Sequence, residues 1–196
     1  MIRWLYERHL ARQLADRPDR ICVLLSDRDL VAAPGKVREC VEWCREIGIG
    51  AVIFHISTAD PERLAQFLPE LRRIAEVARL TLHCGDLTES AGTGMEVTVA
   101  IGKSGREEIA GCIRRMAEDR VDPALVDEHT FERYLTFPYA PDLVIKTGGD
   151  HLTDFLIWQS VYSELFFSDV NWPLFRRLDL LRALRDYQSR ARRFGR

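Results

Sequence analysis

The chain has 196 residues, 46% hydrophobic and 30% charged, with a formal net charge of −2. That length suits one well-buried domain and is short for two. The near-neutral balance excludes an overall electrostatic attraction to nucleic acid, so any anion-binding site has to be local.

Residues 2–14 place apolar side chains at helical spacing and stop before Pro18. Residues 21–26 (ICVLLS) form a continuous apolar run bounded by charges, the pattern of a buried strand. Residues 34–48 then read as a helix with proline at its start and glycine at its end. GAVIFHI (50–56) repeats the strand signal, and residues 60–78 are helical with a break at Pro69. Two further strands, 79–85 and 95–101, flank a loop containing glycine and serine. Helices follow at 104–120 and 126–136, then a strand at 142–146, a short helix at 155–160 and a strand at 162–168. The last helix, from about 177 to 193, carries an apolar stripe of Leu178, Leu181, Leu184, Tyr187, Ala191 and Phe194.

This alternation predicts one α/β domain over residues 1–196, with a central, mainly parallel sheet flanked by helices. Ligands in such sheets sit beyond the carboxyl ends of the strands. The loops to watch are therefore 26–30 (SDRDL), 57–60 (STAD), 102–106 (GKSGR) and 146–150 (KTGGD).

Five cysteines, an odd number without a CxxC pair, point to a reducing compartment. Cys40 and Cys44 are four residues apart on a helix, but Val37, Val41 and Ile47 share their face, which reads as core thiols rather than metal ligands. No apolar run approaches the ~18 residues of a membrane span, and no leader pattern opens the chain. The expectation is a cytoplasmic protein with at most peripheral membrane contact. From Arg176 to Arg196 there are eight arginines against two aspartates, a solvated helix face with cations near its carboxyl end. Few aromatics interleave them, which argues against nucleic-acid binding.

VIKTGGDHLTDF (144–155) resembles an anion site: a strand brings Lys146 to a turn on Gly148 and Gly149, where backbone N–H groups can face phosphate oxygens. Read onward to Gly195, the ordered string PDLVIKTGGDHLTDFLIWQSVYSELFFSDVNWPLFRRLDLLRALRDYQSRARRFG resembles the carboxyl-terminal signature of the cis-prenyltransferases, the undecaprenyl and dehydrodolichyl diphosphate synthase family. WLYERHLARQL, Ser57-Thr58, GDL (85–87) and GKSGR add weaker matches, and together these cover most of the chain. The resemblance implies condensation of isopentenyl diphosphate with an allylic diphosphate. That chemistry uses Mg²⁺ on the leaving diphosphate, a fixed set of cations and N–H donors, and an apolar tunnel for the product.

By that resemblance Asp27, Ser57, Arg106, Lys146, Gly148 and Gly149 fall on diphosphate-binding positions, and Glu164 on a metal-associated glutamate that can equally pair with an arginine. Arg193 and Gly195 match an Arg-x-Gly motif that reaches into the partner subunit's site. Departures are marked. SDRDL replaces an Asp-Gly-Asn-Gly-Arg type loop, losing both glycines. Lys146 replaces an arginine and cannot grip a phosphate bidentately, and a second arginine after the KTGG turn is missing. Helical material that would wall the tunnel is reduced to residues 59–78 and 88–94. This combination resembles the Nogo-B receptor type of subunit, which is not catalytic alone.

The expectation is an accessory subunit of a heteromeric cis-prenyltransferase, a dimer or tetramer with a catalytic partner that binds most of the Mg²⁺ and the isoprenyl diphosphates. Two alternatives stay open: a divergent active homodimer making short products, and a non-enzymatic module binding a prenyl diphosphate.

Overall fold

The computed structural model describes residues 2–137, 140–149, 152 and 156–190, with side chains from Tyr6 onward. Seven strands form one sheet: β1 (Arg20–Ser26), β2 (Ala51–Ser57), β3 (Arg79–Cys84), β4 (Leu87–Ala91), β5 (Glu96–Ile101), β6 (Leu143–Thr147) and β7 (Glu164–Ser168). Their order is β4-β3-β5-β2-β1-β6-β7, and every neighbouring pair is parallel except the β3–β4 hairpin. The helices are α1 (Ile2–Gln13), α2 (Asp27–Ala32), α3 (Lys36–Ile47), α4 (Leu68–Arg72), α5 (Gly105–Glu118), α6 (Glu128–Glu132) and α7 (Arg177–Ser189).

The central strands read as unbroken apolar runs because both of their faces are covered. Val23, Leu25, Val52, Phe54 and Ile56 belong to the larger core, with Leu10 of α1, Val37 and Val41 of α3, and Leu180, Leu181 and Leu184 of α7. Cys22, Leu24 and Ile53 face the other way, toward Phe137 and Leu156. The predicted α7 stripe is buried at Leu178, Leu181, Leu184 and Tyr187, and Cys40 and Cys44 are buried side by side in the larger core. Gly48 ends α3 at φ 87°, a left-handed cap that glycine adopts without a Cβ clash.

Five stretches differ from the sequence expectation. SDRDL is the start of helix α2 rather than a loop. Residues 60–78 break into 3₁₀ turns at Glu62–Phe67 and Arg73–Glu76 around α4, with Pro69 in its first turn, where a missing N–H costs nothing. The expected loop between the third and fourth predicted strands contains β4, whose short polar sequence gave no periodic signal and which pairs through Thr81–Ser90 and neighbouring contacts. Of the helix expected at 155–160, residues 157–160 are turns, and the strand expected from 162 starts at Glu164; 126–136 shortens to α6 after a 3₁₀ turn at Pro123–Leu125.

Candidate functional site

The register puts the exits of three strands side by side. Ser26 stands opposite Ser57, and Ile56 opposite Ile101, so Asp27, Thr58 and Gly102 leave the sheet at nearly one level. Between them lies a cleft of about 680 Å³ lined by Asp27, His55, Ser57, Thr58, Lys103, Ser104 and Glu107. Gly102 donates to the Ile56 carbonyl at φ 68°, and a Cβ there would meet Pro61 at 2.3 Å. Glycine thus lets the β5 exit close against the wall built by the β2 exit.

His55 is 1% exposed, with Nε2 2.6 Å from the Lys103 carbonyl. A carbonyl only accepts, so Nε2 carries the hydrogen. Lys103 Nζ donates to the Gly85 carbonyl at 2.7 Å, pinning a cation to the rim. Nearby, His83 is held below its usual pKa, first by burial and second by the Lys103 charge. The Ser104 hydroxyl caps α5 by accepting from the Glu107 amide. Hydroxyls, one ammonium and two carboxylates make a mixed cleft rather than a ring of cations.

At the β1 exit, donors that a glycine loop would leave open are engaged. Ser26 donates from both its amide and its hydroxyl to Asp29 Oδ2, and Asp29 donates its amide back to the Ser26 hydroxyl. The Arg28 amide donates to Asp27 Oδ1. The cause is local: serine followed three residues later by an acid is a capping box, and it nucleates α2. Leu30 of α2 then packs into a buried layer with Phe54, Ile56, Leu64 and Trp172. Phe54 meets Trp172 edge-on at 6.2 Å, and Trp172 stacks on Phe175 at 5.8 Å.

At the β6 exit, Lys146 Nζ donates to the Thr147 carbonyl at 2.9 Å. Gly148 donates its amide to the Ser168 carbonyl, and a Cβ on it would lie 2.6 Å from Asn171 Oδ1. Gly149, at φ 140°, faces open space. Arg106 is exposed in the first turn of α5. Asp27 and Ser57 share the cleft, whereas Glu164 does not reach it within one chain. Glu164 pairs with Leu143, which pairs with Ile21, and Ser26 lies five residues further along β1, roughly 16 Å at about 3.3 Å per residue. Instead, Glu164 accepts from Arg190 Nη1 at 3.1 Å. Arg193 and Gly195 lie outside the described residues. His55, Lys103, Ser104 and Glu107 join the cleft beside Asp27 and Ser57; the GKSGR string covers Lys103 and Ser104, while His55 and Glu107 lie outside it.

A Mg²⁺ ion takes one or two carboxylates together with substrate phosphate oxygens. Asp27 offers one such carboxylate at the cleft, and among the described residues no three His, Cys, Asp or Glu side chains cluster as a metal cage. Asp27 therefore fits a metal that arrives with a diphosphate, which would neutralise charge on the leaving group.

A mainly parallel sheet with a polar cleft at its strand exits defines the class of open α/β proteins whose ligand sites lie beyond the carboxyl ends of the strands. Comparison with known proteins gives the family. The profile described as "Putative undecaprenyl diphosphate synthase" matches residues 66–195. The tritrans,polycis-undecaprenyl-diphosphate synthase (geranylgeranyl-diphosphate specific) of Methanocaldococcus jannaschii is 35% identical over 201 positions, covering 82% of this chain and 71% of that protein. The isoprenyl transferase of Thermus thermophilus is 34% identical over 253 positions, covering 98% of this chain and 95% of its own. A crystal structure of a "probable undecaprenyl diphosphate synthase" from Campylobacter jejuni superposes with a TM-score of 0.71 at 20% identity, covering 92% of this chain and all of that one. The chain belongs to the cis-prenyltransferase family. Because 98% of 196 residues is about 192, the 253-position alignment leaves about 60 positions with no counterpart here.

Proposed function

We propose that this chain is a non-catalytic subunit of a heteromeric cis-prenyltransferase that makes a polyprenyl, dolichyl-type diphosphate. It pairs with a catalytic relative and places Arg193 and the Gly195 amide at that relative's diphosphate site, a guanidinium fork beside an N–H donor. The partner holds the Mg²⁺ and both isoprenyl diphosphates. The observation that carries this reading is the reciprocal Ser26–Asp29 cap, which engages donors at the β1 exit that a phosphate would otherwise use. Ionising an allylic diphosphate separates charge, and preorganised donors at that position are the main means of lowering its barrier.

The packed layer of Leu30, Phe54, Ile56, Leu64 and Trp172 supports the same reading, since it occupies a sheet face with side chains rather than with a product channel. Five free, buried cysteines agree with a cytoplasmic setting, and among the described residues no helix is long and apolar enough to cross a membrane.

A second reading is favoured by the relatives, which are named as synthases: an active homodimer of short product length, with Asp27, Ser57, Lys103 and Arg106 around the diphosphate. The purified chain, supplied with allylic diphosphate, isopentenyl diphosphate and Mg²⁺, separates the two. The first reading expects negligible product without a longer relative; steady turnover by the lone chain supports the second. Ligand binding without stimulation of any relative points to a binding module.

A further inference from the structure

The cleft keeps one cation whose charge the protein does not neutralise. At the β1 exit the donors are engaged by the Ser26–Asp29 cap. At the β5 exit Lys103 stands on the cleft wall, half-buried, and among the described residues it makes no ion pair. Its bond from Nζ to the Gly85 carbonyl, at 2.7 Å, occupies a single ammonium hydrogen and leaves the others open. A neutral carbonyl offers this cation a dipole, whereas an oxyanion at the same distance offers a full opposite charge in a partly dry site. The oxyanion is the stronger partner.

The bond that Lys103 would give up has a structural role. Gly85 and Asp86 form the two-residue turn between β3 and β4, and β4 is a mostly exposed edge strand whose one sheet neighbour is β3. From outside the hairpin, Arg72 holds Glu89 through two bonds of 2.7 and 3.2 Å, and Lys103 holds the turn. His83 of β3 has its pKa lowered first by burial and second by the Lys103 charge, so the field of this ammonium already reaches into the hairpin.

We propose that Lys103 is an exchangeable latch: a diphosphate-type oxyanion entering the cleft draws its ammonium from the Gly85 carbonyl, and the β3–β4 hairpin is released from the cleft wall. This goes beyond the proposed function, which assigns both substrates to the partner. The chain's own cleft then senses an oxyanion, free or carried on an isoprenyl group, and reports its arrival at the edge of the sheet.

Inorganic pyrophosphate with Mg²⁺, added to the full chain alone, tests the exchange by calorimetry and by amide hydrogen exchange read by mass spectrometry. Wild type should bind it, and amide exchange over residues 85–91 should quicken severalfold at saturation. Lys103→Met should bind about tenfold more weakly and should show the fast exchange with no ligand present, while Lys103→Arg should recover the affinity. Isopentenyl diphosphate should act as pyrophosphate does, because the latch reads the oxyanion. Absence of binding to wild type, equal affinity in Lys103→Met, or unchanged exchange over 85–91 in liganded wild type overturns the inference, as does a response to one of the two ligands alone. If the methionine variant does not fold, the wild-type measurements decide. No partner enters these experiments, so their failure leaves the subunit reading standing, and failed reconstitution with a relative leaves the latch standing.

Discussion

Asp29 and Ser26 cap one another: Asp29 Oδ2 accepts from the Ser26 amide at 2.9 Å and hydroxyl at 2.7 Å, and the Ser26 hydroxyl accepts from the Asp29 amide at 3.3 Å. The bonds convert a strand exit into the first turn of α2 and fix Leu30 in the core. Asp29→Ala should therefore destabilise the fold by about 1 kcal/mol, measured as a lower urea midpoint at unchanged slope. A variant as stable as wild type would mean that the cap does not hold α2 in place.

Leu64→Ala probes the layer beneath α2. Leu64 is 1% exposed among Phe54, Ile56 and Trp172, so truncation should cost about 2–5 kcal/mol through lost burial and a residual cavity. A cost under about 1 kcal/mol would indicate a site already open on one side.

The Glu164–Arg190 pair is partly exposed, at 26% and 37% for the two side chains. A double-mutant cycle with Glu164→Gln and Arg190→Gln should return about 0.2–1 kcal/mol, after screening by solvent. Millimolar Mg²⁺ should leave the melting temperatures of wild-type and Glu164→Gln chains alike. A rise confined to wild type would place the glutamate on a metal instead.

His83 makes stability depend on pH. Its pKa is lowered in the folded chain, by burial first and the Lys103 charge second, so the unfolded chain binds the proton more readily. Its contribution is complete above the unfolded pKa of about 6.5 and is lost as pH falls below that value toward the lowered folded pKa. Glu108 acts in the opposite sense: burial raises its pKa, so the folded chain holds its proton more firmly and gains stability as pH falls through that group's range. Subtracting a His83→Gln variant isolates the histidine. The difference in unfolding free energy between wild type and variant should shrink from pH 7 to pH 5, about the window set by an ordinary histidine. A difference that stays constant contradicts the assignment.

Much of the fold was legible from periodicity. The apolar runs at 21–26, 50–56 and 142–146 became β1, β2 and β6 because strands buried on both faces need no alternation. β4 was not legible, since Leu-Thr-Glu-Ser-Ala has no apolar face to bury and owes its place to pairing with β3. The Ser26–Asp29 spacing is itself that of a capping box, which makes SDRDL a helix start rather than a substrate loop. At the cleft, strand-exit position marked the loops of Asp27 and Ser57, and the family resemblance picked out the two residues. The place of Lys103 was not legible, because it arises from a contact between distant loops, the His55 ring against the Lys103 carbonyl.

The most direct test of the subunit account is the initial rate of isopentenyl incorporation by a catalytic relative, measured alone, with this chain, and with its Arg193→Ala variant. The account predicts strong stimulation by wild type, and a variant that assembles with the relative while losing about 2 kcal/mol or more of transition-state stabilisation, some thirtyfold in rate. Equal stimulation by both proteins, or full turnover by this chain with no relative present, would contradict it.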